Sequence, residues 1–350
     1  MRTLPNLDLL RSLAVLSVVL DHVLLAYGIT SIGPLHVEWI GLCGVFVFFV
    51  HTALVLMWSL ERKPHTLDFY IRRIFRIYPL PILACAVALL FHAPVHGTPL
   101  HYFQYTAPPG PLSALAAFLL IPNLVPGGSG YLPESVMWSL PYEVEMYVLL
   151  PVIFFFVRRN FSLWPLVLFW TFAFVVGKSL FPGDGHNFIL CLPLFIPGVI
   201  AYVGFSRYRS RLPAWTFPIA LLAAWTLLVI GPRWRRADVL CLALGLGLPL
   251  FHQITAPWLI AASHTIAKYS YGIYLAHPFG IVLGLYLLPH RPIAIQIAVI
   301  LSSTALLAAA AYHLLEAPMI RIGSRLANRA EQRYEQHEFD AIRIPEAEIR

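Results

Sequence analysis

Long apolar stretches recur along the chain from residue 8 to residue 315. About 20 apolar residues are enough for one helical crossing of the hydrocarbon core of a bilayer. By this measure the sequence predicts ten spans, at 8–28, 39–59, 77–93, 142–157, 162–180, 188–205, 214–230, 238–252, 268–288 and 292–314. The apolar segment 112–125 is shorter, and Pro and Gly follow it, so we expect a re-entrant or interfacial helix there. The predicted fold class is all-α, a polytopic bundle of transmembrane helices.

Composition strengthens this prediction. The chain is 59% hydrophobic and 12% charged, whereas a typical soluble domain is about a quarter charged. A soluble core could not bury so much apolar surface, so a lipid-facing surface is the simplest explanation. The net charge of +7 does not point to nucleic acid. The four cysteines lie in apolar runs without metal-ligand spacing, so we expect small buried side chains and no metal site.

The distribution of Lys and Arg predicts the orientation. Basic residues fall in alternate loops and in the C-terminal tail, which ten spans would place on one side: Arg62, Lys63, Arg72, Arg73, Arg76, Arg158, Arg159, Arg207, Arg209, Arg211, Arg321, Arg325 and Arg329. Loops 29–38, 94–111 and 181–187 carry no Lys or Arg. The positive-inside rule then predicts that both termini are cytoplasmic, with a transmembrane domain at 1–326 and a charged cytosolic tail at 327–350.

One loop contradicts this orientation, because its three arginines would lie outside: Arg233, Arg235 and Arg236. Either a span is miscounted nearby, or an external basic patch attracts an anionic glycan.

The first span carries two polar side chains that are expected to share a face. Arg11 and His22 are eleven residues apart, which is three helical turns plus roughly 20° and about 16 Å along the axis. A charge inside a membrane usually faces a cavity or a partner. An arginine near the cytosolic end and an imidazole deeper in the bundle would suit a channel that admits an anionic donor and ends at a general base. The alternative is a structural histidine bonded to a neighbouring helix. Asp21 points about 100° away, which does not make it an automatic partner of His22.

A basic cluster precedes the third span. Arg72, Arg73 and Arg76 form one patch on a predicted interfacial helix. Guanidinium groups bind phosphate in bidentate fashion, so the patch could clamp a phosphorylated donor. Cytosolic flanks are commonly basic for reasons of topology or lipid binding, and residue types alone favour that explanation.

Carboxylates open the fourth span, and aromatic side chains lie next to them. Glu143 and Glu145 fall where a helix N-terminus stabilises negative charge. Glu145 needs no other explanation, whereas Glu143 could orient a sugar hydroxyl or fix an arginine. Trp138 and Tyr142 are the aromatic candidates for contact with an acceptor.

A polar stripe runs along the ninth span. Ser270, Tyr274 and His277 follow i, i+4, i+7 spacing. We favour an interhelical hydrogen-bond seam for Tyr274 and His277, and retain both as candidates for contact with the acceptor.

Together these segments resemble the acyltransferase 3 family of integral-membrane acyltransferases, from Leu7 to about Leu326. The resemblance rests on ordered motifs: L-D-x-x-R-x10-H at Leu7, Asp8, Arg11 and His22; G-V-x-x-F-F-V at 44–50; R-R-x-x-R-I-Y-P at 72–79; W-S-L-x-x-E-x-x-x-Y at 138–147; S-Y-x-I-Y-L-x-H at 270–277; and E-x-P at Glu316 and Pro318. Each motif is weak alone, but their order on a ten-span frame is specific.

The resemblance implies a ten-helix fold in a bacterial inner membrane and transfer of an acyl group, in the first place acetyl, from cytosolic acyl coenzyme A to a hydroxyl of a sugar or cell-surface polysaccharide. It matches His22 to the catalytic histidine, Arg11 to the motif arginine and Glu143 to the motif glutamate. It associates Arg72, Arg73 and Arg76 with the donor side.

The sequence departs from the family pattern at two places. His51, Thr52 and Ala53 stand where many members have Ser-Gly, and His51 could face the same cavity. The usual Glu-Glu-Gln becomes Glu143, Val144 and Glu145, so a second motif glutamate is missing at 144.

Several alternatives remain open. We expect Glu316 to pair with a cytosolic arginine. Direct attack by the acceptor and an acyl-histidine intermediate are both compatible with the residues. The rival functions are a secondary transporter of a small anionic metabolite or glycan precursor and a scaffold or channel subunit.

Overall fold

A computed structural model describes residues 4–63, 65–91, 110–125, 135–159, 162–180, 188–230 and 234–342. Two of the predicted loops lie partly or wholly outside these residues, 94–111 and 181–187. The same holds for Arg233, in the loop that contradicts the predicted orientation.

The described chain is almost entirely helical. The α-helices are α1 (Pro5–Ala26), α2 (Glu38–Arg62), α3 (Thr66–Ile77), α4 (Pro79–Phe91), α5 (Pro111–Phe118), α6 (Leu140–Arg159), α7 (Leu163–Leu180), α8 (Phe188–Arg207), α9 (Thr216–Ile230), α10 (Trp234–Gly247), α11 (Pro257–Leu285), α12 (Ile293–Ala311) and α13 (Ala317–Ile342). A π-helical turn, Tyr312–Glu316, joins α12 to α13. Short 3₁₀ turns lie at Pro122–Leu124, Ser135–Ser139 and Leu248–Leu250, and two short strands, β1 (Ser31–Ile32) and β2 (Leu35–His36), pair antiparallel.

Two helices, α2 and α8, form the centre of the bundle and are mostly buried. Helix α1 packs against α2 and α11, α8 packs against α2, α7 and α10, and α11 packs against α12. Close approach depends on glycine at the contact of α2 with α8. A Cβ added at Gly198 would lie 2.7 Å from Ala53 Cβ and 2.8 Å from the Leu54 backbone nitrogen, which is too close for any larger residue without movement of a helix.

The outer surface of the bundle is apolar, as a lipid-facing surface must be. Large hydrophobic side chains are exposed along several helices, among them Val148, Phe156, Trp164, Leu168, Phe172, Leu222 and Leu306. In a soluble monomer so much exposed apolar surface would cause aggregation. The chain is therefore a multi-pass membrane protein.

Seven helical segments are long and apolar enough to cross a membrane: Pro5–Ala26, Glu38–Arg62, Thr66–Leu90, Val136–Arg159, Leu163–Leu180, Phe188–Arg207 and Ile293–Arg333. They account for seven of the ten predicted spans. The other three correspond to α9 with 15 residues, α10 with 14 and α11 with 29. Helices α9 and α10 are short, and the apolar sequence of α11 contains polar residues that pack against α1. Ten spans and two cytoplasmic termini remain predictions.

The predicted tail does not begin at a structural break. Helix α13 continues without interruption from Ala317 to Ile342 and packs along α3. Lys63 Nζ lies 2.5 Å from Glu331 Oε2 and 3.2 Å from Asn328 Oδ1. The helical start of the tail is thus docked on the segment that carries the basic cluster.

The predicted re-entrant segment contains the short helix α5, which is not among the long apolar helices. Helix α5 ends at Phe118, and Leu120, two residues later, has a φ of 56° in the left-handed region, which is incompatible with continuation of the helix.

Candidate active site

The two polar residues of α1 both face α11, as their spacing predicts. Arg11 Nε donates a hydrogen bond to Ser270 Oγ at 2.5 Å. His22 Nδ1 lies 2.7 Å from His277 Nε2. The polar stripe of α11 therefore meets the polar face of α1, and the two contacts fix the rotation of one helix against the other.

The imidazole of His22 lies between two other groups. Its ring is nearly parallel to that of His277, with centroids 4.9 Å apart and an interplanar angle of 10°, so that the two rings lie side by side and are joined through their nitrogens. On the other side, His22 Nε2 is 3.7 Å from Asp21 Oδ2. Asp21 is buried against α2, where Gly41 leaves room for its carboxylate. Asp21 thus lies close to His22 although adjacent positions on a helix point about 100° apart.

Charges of both signs act on Arg11. The carboxylates of Glu143, Glu316 and Asp8 attract it, whereas Arg76 carries the same charge and repels it. Arg76 is exposed, yet it also acts on Glu143 and Glu316.

Glu143 is held in the first turn of α6 by two hydroxyl groups. Thr52 Oγ1 donates to its Oε1 at 3.3 Å, and the Tyr147 hydroxyl donates to its Oε2 at 3.2 Å. The carboxylate is thereby oriented between α2 and α6 while it acts on Arg11. Of the two roles expected for Glu143, orienting a sugar hydroxyl or fixing an arginine, the charges of Arg11 and Arg76 that act on it favour the second.

The three arginines of the basic cluster differ in what they contact. Arg72 donates to Asp68 at 2.8 and 3.0 Å and to Asn328 Oδ1 at 2.6 Å. Arg73 donates to Ser59 Oγ at 3.4 Å and lies over the Phe69 ring. Both make contacts that hold α3 in place, whereas Arg76 is exposed and its charge acts on Arg11.

Of the aromatic candidates, Tyr142 and Tyr274 are buried and Trp138 is half-buried. Tyr142 packs edge to face with Trp138, with ring centroids 6.2 Å apart. The Tyr274 hydroxyl is 3.0 Å from Ser139 Oγ and donates to the Val136 carbonyl. The interhelical hydrogen bonds expected of Tyr274 and His277 are therefore present, and acceptor binding by these side chains stays a prediction.

Sequence reasoning gave no role to Thr52, which appeared only as a departure from a motif, or to Tyr147, which ends the motif that contains Glu143. Asp21 was considered and not taken as a partner of His22, yet its Oδ2 lies 3.7 Å from His22 Nε2. Glu316 was expected to pair with an arginine and does act on Arg76 and Arg11, but its Oε1 is buried without a hydrogen-bond partner in the described structure. His51 is buried near the same arginines.

A second polar group is separate from these residues. Asn123 Nδ2 donates to Glu145 Oε1 at 2.6 Å. Lys178 forms an ion pair with buried Asp238 at 3.3 Å. Glu145 is not among the charges that act on Arg11, which distinguishes it from Glu143 two residues earlier.

The described residues contain no group of three or more His, Cys, Asp or Glu side chains that could hold a metal ion. The four cysteines are buried thiols.

Comparison with known proteins gives one match. The model of the acyltransferase 3 family, described as an acyltransferase domain, matches residues 4–312. No curated protein and no solved structure matches the chain.

Proposed function

Because the chain belongs to the acyltransferase 3 family, we propose that it is a membrane-bound O-acyltransferase of a bacterial inner membrane. It moves an acyl group, in the first place acetyl, from cytosolic acyl coenzyme A to a hydroxyl of a sugar or cell-surface polysaccharide. The observation that carries the proposal is the shared face of Arg11 and His22, which combines an anion-binding side chain with an imidazole on one helix.

The donor side of the proposed site centres on Arg76. This arginine is exposed and acts on the buried charges around Arg11, so it is suited to receive a phosphate of coenzyme A. Arg72 and Arg73 support it by holding α3 in place. The pantetheine arm then passes Arg11 and brings the thioester toward His22.

The chemical step uses His22 as the general base. Its imidazole takes the proton of the acceptor hydroxyl while the oxygen attacks the thioester carbonyl. The carbon–sulfur bond breaks, and the leaving thiolate takes the proton back from the imidazolium. The products are the acylated sugar and free coenzyme A. An acyl-histidine intermediate is the second route, and ping-pong kinetics would identify it.

The test supplies labelled acetyl coenzyme A to membranes that contain wild-type protein or His22→Ala. Label should enter glycan in wild-type membranes and fall by at least about a hundredfold in the variant at equal protein level, as for the loss of a general base. Equal labelling by both proteins would remove His22 from the mechanism. No labelling by either would contradict the proposed donor and acceptor.

A further inference from the structure

A row of hydrogen-bonding atoms extends from the backbone of α11 to the ring of His22. The Ile273 carbonyl lies 3.2 Å from His277 Nδ1, and His277 Nε2 lies 2.7 Å from His22 Nδ1. His277 is 0% exposed. Both of its ring nitrogens are therefore directed at protein atoms.

The backbone end of this row sets the positions of the protons. A carbonyl oxygen can only accept, so His277 Nδ1 must carry the hydrogen. In a neutral ring Nε2 is then the acceptor, and His22 Nδ1 must donate to it. The lone pair of His22 is consequently on Nε2. The opposite arrangement would place a lone pair of His277 against a lone pair of the carbonyl oxygen.

Pro278 strengthens this arrangement. Proline has no N–H and cannot make the helical bond to the carbonyl four residues earlier, which is that of Tyr274. The Tyr274 carbonyl, which lacks this helical bond, is left available beside the His277 ring. The sequence His277-Pro278 thus adds a backbone acceptor next to the ring whose Nδ1 lies 3.2 Å from the Ile273 carbonyl.

The other nitrogen of His22 lies on the side of Asp21. The distance from His22 Nε2 to Asp21 Oδ2 is 3.7 Å, so a carboxylate is close to the atom on which a proton would arrive.

We propose that His277 is a positioning residue that fixes the tautomer of His22 and presents Nε2 as the general base. This inference rests on the proposed acyl transfer. The acceptor proton moves to Nε2, the acceptor oxygen forms a bond to the thioester carbon, and the thiolate leaves and recovers the proton from Nε2. His22 Nδ1 keeps its hydrogen throughout, because it donates a hydrogen bond to His277 Nε2.

Two variants separate positioning from packing. In His277→Gln the side-chain oxygen reaches about as far as the replaced Nε2 and can accept from His22. In His277→Asn the same amide is one methylene shorter and cannot reach. We expect His277→Asn to lower kcat by about a hundredfold or more, within the range for general-base catalysis. The Gln variant should stay within about tenfold of wild type, and KM for acetyl coenzyme A should change less than about threefold in both.

Nitrogen-15 NMR of histidine-labelled protein identifies the tautomer of His22 independently of enzymatic activity. The His22 signals are identified by their loss in His22→Ala, and we expect a protonated Nδ1 in wild type and in His277→Gln. A protonated Nε2 in wild type would overturn the inference, as would equal kcat values for the Gln and Asn variants. If wild type shows the expected tautomer but transfers no acyl group, the proposed function fails and the tautomer assignment stands.

Discussion

Glu143 offers a sharp test because its charge can be removed with little change of shape. Glu143→Gln keeps an oxygen that can accept from Thr52 or Tyr147, which lie 3.3 and 3.2 Å from the carboxylate. What the variant loses is the negative charge that acts on Arg11 and Arg76. We therefore expect a functional defect in a protein that folds normally.

The size of the defect follows from the contacts. Hydrogen bonds to a charged group contribute about 1.5–3 kcal/mol and neutral ones about 0.5–1.5. Two such bonds weaken in Glu143→Gln, so a loss of about 2 kcal/mol is reasonable. This corresponds to roughly a 30-fold decrease in kcat/KM if the oriented carboxylate is needed in the transition state.

The assay measures thiol release from acetyl coenzyme A by purified protein, together with thermal unfolding in the same detergent. Glu145→Gln is the matched control, because Glu145 lies on the same helix, bonds Asn123 and does not act on Arg11. Its kcat/KM should stay within about threefold of wild type. Equal defects in the two variants, or none in Glu143→Gln, would refute the role given to the Glu143 charge.

Three further predictions follow from the contacts. Arg76→Gln should raise KM for acetyl coenzyme A by about tenfold, the equivalent of about 1.4 kcal/mol. Arg72→Gln should raise KM less, because Arg72 is bound to Asp68 and Asn328. A larger effect in Arg72→Gln would contradict the placement of the donor at Arg76. Gly198→Val should lower the unfolding temperature, since overpacking costs about 1–3 kcal/mol. Gly110→Ala should not lower it, because the space around Gly110 is open. Equal unfolding temperatures for the two variants would contradict the packing of α2 on α8. Glu331→Gln should change stability by less than about 1 kcal/mol, as a partly exposed ion pair does, and a large drop would show that the docked tail is essential to the fold.

The sequence predicted the direction of a side chain correctly where that direction depends on the period of a single helix. The shared face of Arg11 and His22 follows from the period of α1 alone, and both residues do contact α11. Hydropathy found the spans that face lipid, but it is a weaker guide for α11, whose polar side chains are buried against α1.

Contacts between distant segments were beyond the reach of sequence patterns. Nothing local indicates that His277 would meet His22, 255 positions earlier. The same holds for Asn328, which binds Arg72 from the tail. Glu316 is the last residue of the π-helical turn Tyr312–Glu316, which interrupts the regular helical period, so its electrostatic interaction with Arg11 could not be derived from that period.

The most direct test of the central claim uses purified protein in proteoliposomes with labelled acetyl coenzyme A and a glycan acceptor. The account predicts one free thiol released for each acyl group that appears on the acceptor, with both signals lost in His22→Ala. Movement of label across the membrane without release of thiol would contradict it and would favour a transporter.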